Sequence, residues 1–377
     1  MTLTDPEYIP NKPRIFSKSY LNWLFSSSKF QNWASDLPII RAFARKEGEA
    51  IFDLVMGFVN SQVLWALIDL KVLERLINGP LTAFEIGAQV GLSSERTEIL
   101  LQSGVALGLL RRKSQNRFGL SRKGASLLGV PGLTEMIKHH SHFYRDMTDP
   151  VALLHDEVDT ELSRFWPYVF GASNDAPKGV TDSYSHLMAA SQKLIARDTL
   201  KMVHLSKVKK LLDIGGGSGG FAIEVAQKYP SLLVSVFDLP QVEQSALQRL
   251  KSEALEDRIR FIPGSFRDDL IPQGFDSISL IRVLYDHSDD TVTALLKKVY
   301  NALPIGGQLI ISEPMSGGKH PNKSGDVYFA FYTMAMRTGK ARSANQISQM
   351  CLNAGFSNVK IPRSPRPFIT SSVLCVK

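Results

Sequence analysis

Apolar positions divide the chain into two textures. Through the first half they recur at helical intervals, and after Lys207 short apolar runs alternate with amphipathic segments. Residues 14–50 interleave Phe16, Tyr20, Trp23, Phe25, Phe30, Trp33 and Phe43 with Lys18, Lys29, Arg41, Arg45 and Lys46, which predicts short amphipathic helices. The stretch from Ala50 to Leu76 predicts a helix that stops at Asn78-Gly79-Pro80. Leu81 to Ile86 leads to a turn at Gly91-Leu92-Ser93-Ser94, then to a helix over Glu95–Leu110. Arg111-Arg112-Lys113 and Phe118-Gly119-Leu120 complete a basic hairpin, so this part has the order of a winged helix. Residues 133–205 read as helical, with a turn-rich break over 171–179.

The second texture is that of an α/β doubly wound, Rossmann-like fold. Strands are predicted at Lys209–Ile214, Leu232–Asp238, Ile259–Pro263, Ser277–Ile281 and Gln308–Glu313, with helices between them. Val359–Pro362 and Ile369–Val376 follow these with no helix between the two of them, so the last strand is expected to run antiparallel. The expected divisions are an amphipathic segment over 1–45 and an all-α/winged-helix domain over 46–132. A helical linker and pocket region occupies 133–206, and the ligand-binding α/β domain 207–377.

Composition narrows the functional classes. The net charge of +8 invites a nucleic-acid reading. Up to residue 180, however, 20 Lys and Arg face 19 Asp and Glu, and after it 24 face 17. The near-neutral first half does not support a DNA-binding module there, although the hairpin region holds six basic residues between Arg111 and Lys123. A dimerisation domain that reuses the fold is the favoured reading. Cys351 and Cys375 cannot make a disulfide framework, which points to a reducing compartment. No signal peptide is legible in the first residues, and the run Leu54–Ile68, interrupted by Asn60-Ser61-Gln62, is too short and polar to span a bilayer. A cytoplasmic location is therefore expected, with peripheral membrane contact open to residues 14–45.

Leu211-Leu212-Asp213-Ile214-Gly215-Gly216-Gly217-Ser218-Gly219-Gly220 ends a strand and opens a helix. Its glycines let the backbone turn tightly and approach a ligand, but Gly215, Gly217 and Gly220 also fit the dinucleotide pattern. Charge separates the two readings. Asp213 beside the loop disfavours a pyrophosphate and favours the sulfonium and ammonium of S-adenosylmethionine. Asp238, ending the next strand, suits two ribose hydroxyls, and it can also cap a helix starting at Pro240. Ser265 and Phe266 lie just past the third strand, where an adenine edge and face would be. The fourth strand delivers Tyr285, Asp286 and His287 to the carboxyl end of the sheet, where open α/β folds do their chemistry. His139-His140-Ser141-His142 is not expected to bind metal, because adjacent helical positions do not converge; one of them, His140, is assigned to the substrate pocket.

At these residues the chain resembles the small-molecule O-methyltransferases that carry an N-terminal winged-helix dimerisation domain, and within them the carotenoid O-methyltransferases. The likeness rests on Phe52-Asp53-Leu54-Val55, Gly57-Phe58-Val59, Arg164-Phe165-Trp166-Pro167-Tyr168-Val169-Phe170-Gly171, Val283-Leu284-Tyr285-Asp286-His287 and Arg366-Pro367-Phe368-Ile369-Thr370-Ser371. It implies a homodimer, donor contacts at Gly215, Gly217, Asp238, Ser265 and Phe266, and no metal or nucleic acid. The broad family usually has His-Asp-Trp where Tyr285-Asp286-His287 stands, so its general-base histidine is replaced here; it also commonly has an acid at Ser265. A phenol profits from a histidine base of pKa about 6.5, whereas a tertiary alcohol is too weak an acid to be ionised beforehand. The resemblance therefore implies an acyclic hydroxycarotenoid as acceptor, with His287 and Tyr285 as candidates for proton removal. Phe165, Trp166, Tyr168 and the aromatic residues of 16–43 are the candidate lining of an apolar tunnel. A phenol or polyketide methyltransferase and a ligand-sensing winged-helix regulator are the competing readings.

Overall fold

A computed structural model describes residues 18–36, 38–165 and 192–377. The chain forms two compact units, one ending at Ser121 and the other running from Arg122 to Lys377.

The first unit opens with α1 (Lys18–Phe25) and α2 (Ser28–Asp36), then the long α3 (Pro38–Asp69). Sequence periodicity predicted a break near residue 50, but none occurs. Pro38 at the first turn suits a helix start, and no later residue before Asp69 blocks propagation. Lys71 then turns left-handed (φ 54°) and begins the short α4 (Val72–Arg75). The resulting Arg41–Asp69 stretch is long and apolar enough to cross a bilayer by length and composition, which the shorter Leu54–Ile68 run was not. Its Ile51, Phe52, Leu54, Val55, Phe58 and Val59 are exposed.

β1 (Leu81–Thr82) leads into α5 (Ala83–Val90) through a capping box formed by Thr82 and Glu85. Gly91 ends α5, and Ser93 caps α6 (Ser94–Ala106). β2 (Leu110–Arg112) and β3 (Arg117–Leu120) form the hairpin, and the small sheet has the order β1-β3-β2. The helix–turn–helix with an appended hairpin is thus present, packed around the buried Phe118, Leu101 and Ile86.

The second unit begins with α7 (Arg122–Leu128), α8 (Leu133–Asp146), α9 (Pro150–Leu154), α10 (Glu161–Phe165) and α11 (192–202). β4 (Lys210–Ile214), α12 (Gly220–Lys228), β5 (Leu233–Asp238), α13 (Glu243–Ser252), β6 (Ile259–Pro263), β7 (Ser277–Ile281), α14 (Asp289–Ala302) and β8 (Gln308–Glu313) keep closely to the predicted alternation. A π-helical stretch (Lys323–Phe329) continues into α15 (Ala330–Ala335), and α16 (Ala344–Ala354), β9 (Ser357–Lys360) and β10 (Ser371–Val376) close the chain.

The seven strands lie in the order β6-β5-β4-β7-β8-β10-β9, and β10 pairs antiparallel with both neighbours, with no crossover helix between β9 and β10. Both sheet faces are covered, which explains the continuous apolar runs. Leu211 packs with Phe221, Val225 and Leu250 on one side, while the next residue, Leu212, packs with Leu280, Val292 and Leu296 on the other. Strand order reverses at β4, which has β5 on one side and β7 on the other, so a crevice opens at their carboxyl ends.

Candidate active site

That crevice gathers residues from four strand ends. After β4, Gly215 and Gly217 adopt left-handed backbone (φ 66° and 55°), and the Gly215 N–H donates to the Phe237 carbonyl at 2.8 Å. The Gly217 N–H donates to Asp238 Oδ2 and the Leu239 N–H to Asp238 Oδ1, each at 2.7 Å. Asp238 thereby ties the glycine loop to the end of β5. Each of its oxygens keeps a further lone pair, which suits a diol. Burial raises its pKa, and the two N–H groups oppose that rise.

Asp213 occupies a different place from the one its position in the sequence suggests. It lies under the loop, fully buried, with Oδ1 accepting from the Ser279 hydroxyl at 2.6 Å. Its Oδ2 accepts no hydrogen bond among the described residues. A Cβ at Gly216 would stand 2.5 Å from that oxygen, so the middle glycine leaves the carboxyl its room. Burial, and then the nearby Asp238, push the Asp213 pKa up to about 7, against the opposing hydrogen bond from Ser279. The carboxyl is therefore not a fixed anion at neutral pH; a cation on the loop would favour its ionised form.

Past β6, the Ser265 hydroxyl donates to Asp268 Oδ2 at 2.8 Å, and the Ser265 N–H donates to Asp269 Oδ2 at 2.8 Å. Lys298 from α14 holds this turn through the carbonyls of Phe266, Arg267 and Asp269. The Phe266 ring meets His287 edge-on, with centroids 5.2 Å apart.

His287 belongs to this side of the crevice. Arg267 donates to its Nδ1 at 3.0 Å, which leaves the neutral ring with its proton on Nε2. Burial, Arg267 and Arg342 hold its pKa down at about 4. With Nδ1 accepting and Nε2 protonated, the ring is arranged to donate, not to take a proton.

Tyr285 is pinned from several directions. The Leu284 and Tyr285 N–H groups donate to Glu313 Oε2 at 3.0 and 3.2 Å, and the Tyr285 carbonyl accepts from the Lys340 N–H at 2.8 Å. Arg282, itself left-handed (φ 58°), donates to the Tyr285 hydroxyl at 3.1 Å. Only 2% of Tyr285 is exposed, and burial raises its pKa above the ordinary phenol value despite Arg282. Arg342, also fully enclosed, donates to the carbonyls of Leu284 and His287 at 2.9 and 2.8 Å and to Asp289 at 2.7 Å. Burial raises Glu313 to about 8 and Asp286 to about 7, although Arg342 and Arg282 respectively oppose those shifts.

A second cluster comes from α8, the π-helical stretch and α15. His139 Nε2 lies 2.8 Å from the Tyr332 hydroxyl, and His140 Nε2 lies 2.7 Å from the Tyr328 hydroxyl. His142 instead meets Glu161 at 2.7 Å. The three imidazoles have three separate partners, so they do not converge. Trp166 and Tyr168 lie outside the described residues, and Phe165 is described only as the last residue of α10.

Glu313 was legible as the end of a predicted strand, by the rule that singled out Tyr285. Arg342 and Gly339 carried no local signal, since they reach the site through a distant loop. Tyr328 and Tyr332 showed only an i,i+4 spacing, which a core helix shares.

Residues 144–357 match the O-methyltransferase domain family model, and residues 52–129 match the O-methyltransferase dimerisation domain model. The chain belongs to the O-methyltransferase family. Within that family it is 49% identical to a demethylspheroidene O-methyltransferase of Cereibacter sphaeroides, covering 94% of this chain and 93% of the relative. A demethylspheroidene O-methyltransferase of Rhodobacter capsulatus is 47% identical, over 89% and 84%. The fold is also that of human N-acetylserotonin methyltransferase solved with S-adenosylmethionine, at a TM-score of 0.74, 24% identity and coverage of 88% and 97%.

Two outcomes are expected from this geometry. A Cβ on Gly339 would stand 2.4 Å from the Tyr285 carbonyl oxygen, a backbone atom held by the Lys340 N–H. Gly339→Ala should cost about 1–3 kcal/mol in a urea melt and lower kcat/KM at least about tenfold; wild-type values in both assays would contradict the close packing. Because a cationic ligand favours ionised Asp213, S-adenosylmethionine should bind more tightly as pH rises through about 7. Calorimetric titration should show Asp213→Asn flattening that dependence, and an unchanged slope would exclude Asp213 as its source.

Proposed function

We propose that the chain transfers the methyl group of S-adenosylmethionine to the tertiary 1-hydroxyl of an acyclic carotenoid in carotenoid biosynthesis. The observation that carries this reading is Tyr285. It stands where the broad family usually has a histidine base, and it is enclosed, held by Arg282 and raised in pKa. Such a group does not ionise a phenol at neutral pH, whereas an unactivated alcohol needs no ionisation before methyl transfer. The names of the two carotenoid-methylating relatives support the same acceptor class. The phenol or polyketide alternative lacks its usual base, and a purely ligand-sensing regulator does not account for membership in an O-methyltransferase family.

The donor supplies an electrophilic methyl group; the protein's part is to hold it and to exclude water. Gly215, Gly217 and Asp238 fit the ribose side of the donor, Ser265 and Phe266 the adenine. Ionised Asp213 would favour the cationic end from below. His287 is assigned to the adenine side with Phe266, because its bonding leaves it a donor. Methyl transfer is an in-line displacement, so the rigid turn clamped by Glu313, Arg342 and Gly339 contributes by fixing alignment.

We also propose a homodimer joined through the exposed face of α3, which falls largely within the dimerisation-domain match. A separate surface, α1, α2 and the start of α3, exposes Leu21, Phe25, Trp33 and Phe43 beside Lys29, Arg41, Arg45 and Lys46. That composition suits an anionic lipid surface and a cytoplasmic enzyme that collects its acceptor there.

Incubation with labelled S-adenosylmethionine and a panel of hydroxycarotenoids and phenols should place label in the carotenoids; label only in phenols would sink the acceptor assignment. Phe58→Asp should turn a dimer into a monomer by sedimentation without altering flotation on phosphatidylglycerol vesicles. Phe25→Asp with Trp33→Asp should do the reverse, and the opposite pattern would exchange the two surfaces.

A further inference from the structure

The two residues that the sequence offers for proton removal at the fourth strand end, Tyr285 and His287, are both engaged. Tyr285 is enclosed with its hydroxyl held by Arg282, and His287 has its accepting nitrogen occupied by Arg267. The chain nevertheless places two neutral imidazoles close by. They form a pair of parallel histidine–tyrosine contacts, one turn apart on the tyrosine side: His139 with Tyr332, and His140 with Tyr328.

The two pairs differ in access. His139 and Tyr332 are buried, at 7% and 6% exposure, among Phe143, Leu162 and Met336. His140 and Tyr328 are half-buried. The Tyr328 ring stacks on Tyr332 with centroids 5.8 Å apart and meets His140 at 5.4 Å and Phe143 at 6.1 Å, which fixes the direction of its hydroxyl. Arg282 and Tyr285 lie near enough to shift the acidity of Tyr328. Those residues start the turn at the end of β7, whose Val283 packs against Gly215 of the donor loop. Gly339 lies between the Tyr285 carbonyl and Thr333 of α15, so the helix that carries Tyr332 packs against this same turn.

We propose that Tyr328 and His140 form the proton relay of the methyl transfer, with Tyr328 touching the acceptor hydroxyl and His140 acting through it. This rests on the assignment of an un-ionised hydroxyl as acceptor. As the acceptor oxygen bonds to the methyl carbon, the carbon–sulfur bond breaks and sulfur keeps the electron pair. The hydroxyl proton passes to Tyr328 Oη while the Tyr328 proton passes to His140 Nε2. One positive charge leaves sulfur and one appears on the imidazole, so the site holds the same net charge before and after. Burial keeps the free His140 pKa down at about 4, so the ring enters the step unprotonated and returns its proton to water afterwards. His139 and Tyr332 are the enclosed counterpart and serve as a strut.

The relay is tested in the full-length enzyme with whichever hydroxylated acceptor the wild type turns over. Tyr328→Phe and His140→Phe should each lower kcat about 100-fold or more, with the acceptor KM, the Kd for S-adenosylmethionine and Tm near wild type. His140→Gln can still accept a hydrogen bond from Tyr328 but cannot take up the proton, so it should stay as slow as His140→Phe. His139→Phe should lower Tm and leave kcat within a few-fold of wild type. Full activity in His140→Gln would overturn the relay, because orientation alone would then suffice. Activity within twofold of wild type in Tyr328→Phe would overturn it as well. A wild type active only on phenols would refute the carotenoid assignment instead, and the variants would still report on the relay with an un-ionised phenol.

Discussion

One carboxylate oxygen, Oε2 of Glu313, accepts the N–H groups of both Leu284 and Tyr285 at the end of the central strands. Arg342 closes the other side of the same turn through the carbonyls of Leu284 and His287. Both side chains are removed from water, so each bond is made in a medium where an unmade one costs far more than at the surface. Breaking either partner would leave a buried charge or an orphaned backbone group. The turn is thereby fixed in one conformation, and the rest of the crevice is built against it. Gly339 approaches the Tyr285 carbonyl, Val283 backs the donor loop, and Arg282 turns its guanidinium to Tyr285.

The crevice is divided by charge and by hydrogen-bond direction. Its donor side is a set of carboxyls at different depths. Asp238 sits under two N–H groups and links two strand ends, and Asp213 lies deeper with one oxygen unsatisfied. Burial raises both pKa values, and Asp213, pushed up to about 7, responds to a cation when one arrives. The cluster between α8 and α15 is aromatic. Tyr328 stacks on Tyr332, His139, His140 and Phe143 meet these rings edge-on, and the hydroxyls and imidazoles satisfy one another. An apolar acceptor with a single hydroxyl matches such a surface, since only one polar group needs a partner.

The first unit is built on a different principle. Its winged-helix order keeps a helix–turn–helix and hairpin, and the long helix before that motif exposes a run of apolar residues, Ile51, Phe52, Leu54, Val55, Phe58 and Val59. Arg111, Arg112 and Lys113 are exposed on the hairpin, but Arg112 also meets Glu98, and the near-neutral balance of this half gives no field that would draw a polyanion. A family match to a dimerisation domain accords with that distribution.

Much of this was legible in the residues alone. Short apolar runs between turn residues marked the strands of the large sheet to within a residue or two, because both faces are covered and the runs are continuous. The glycine loop and Asp238 were found at strand ends, where a doubly wound sheet must place its ligand. The length of α3 was missed because a helix continues wherever nothing stops it, and charged residues at Arg41 to Glu49 concealed its continuity. What only the tertiary structure decided was which side chains meet. Glu313, Arg342 and Gly339 reach the turn at Tyr285 from far along the chain, and burial, a property of the assembled fold, sets the protonation of Asp213 and His287. Chemistry read from a motif names the residue types present; their direction and charge depend on neighbours that local sequence does not specify.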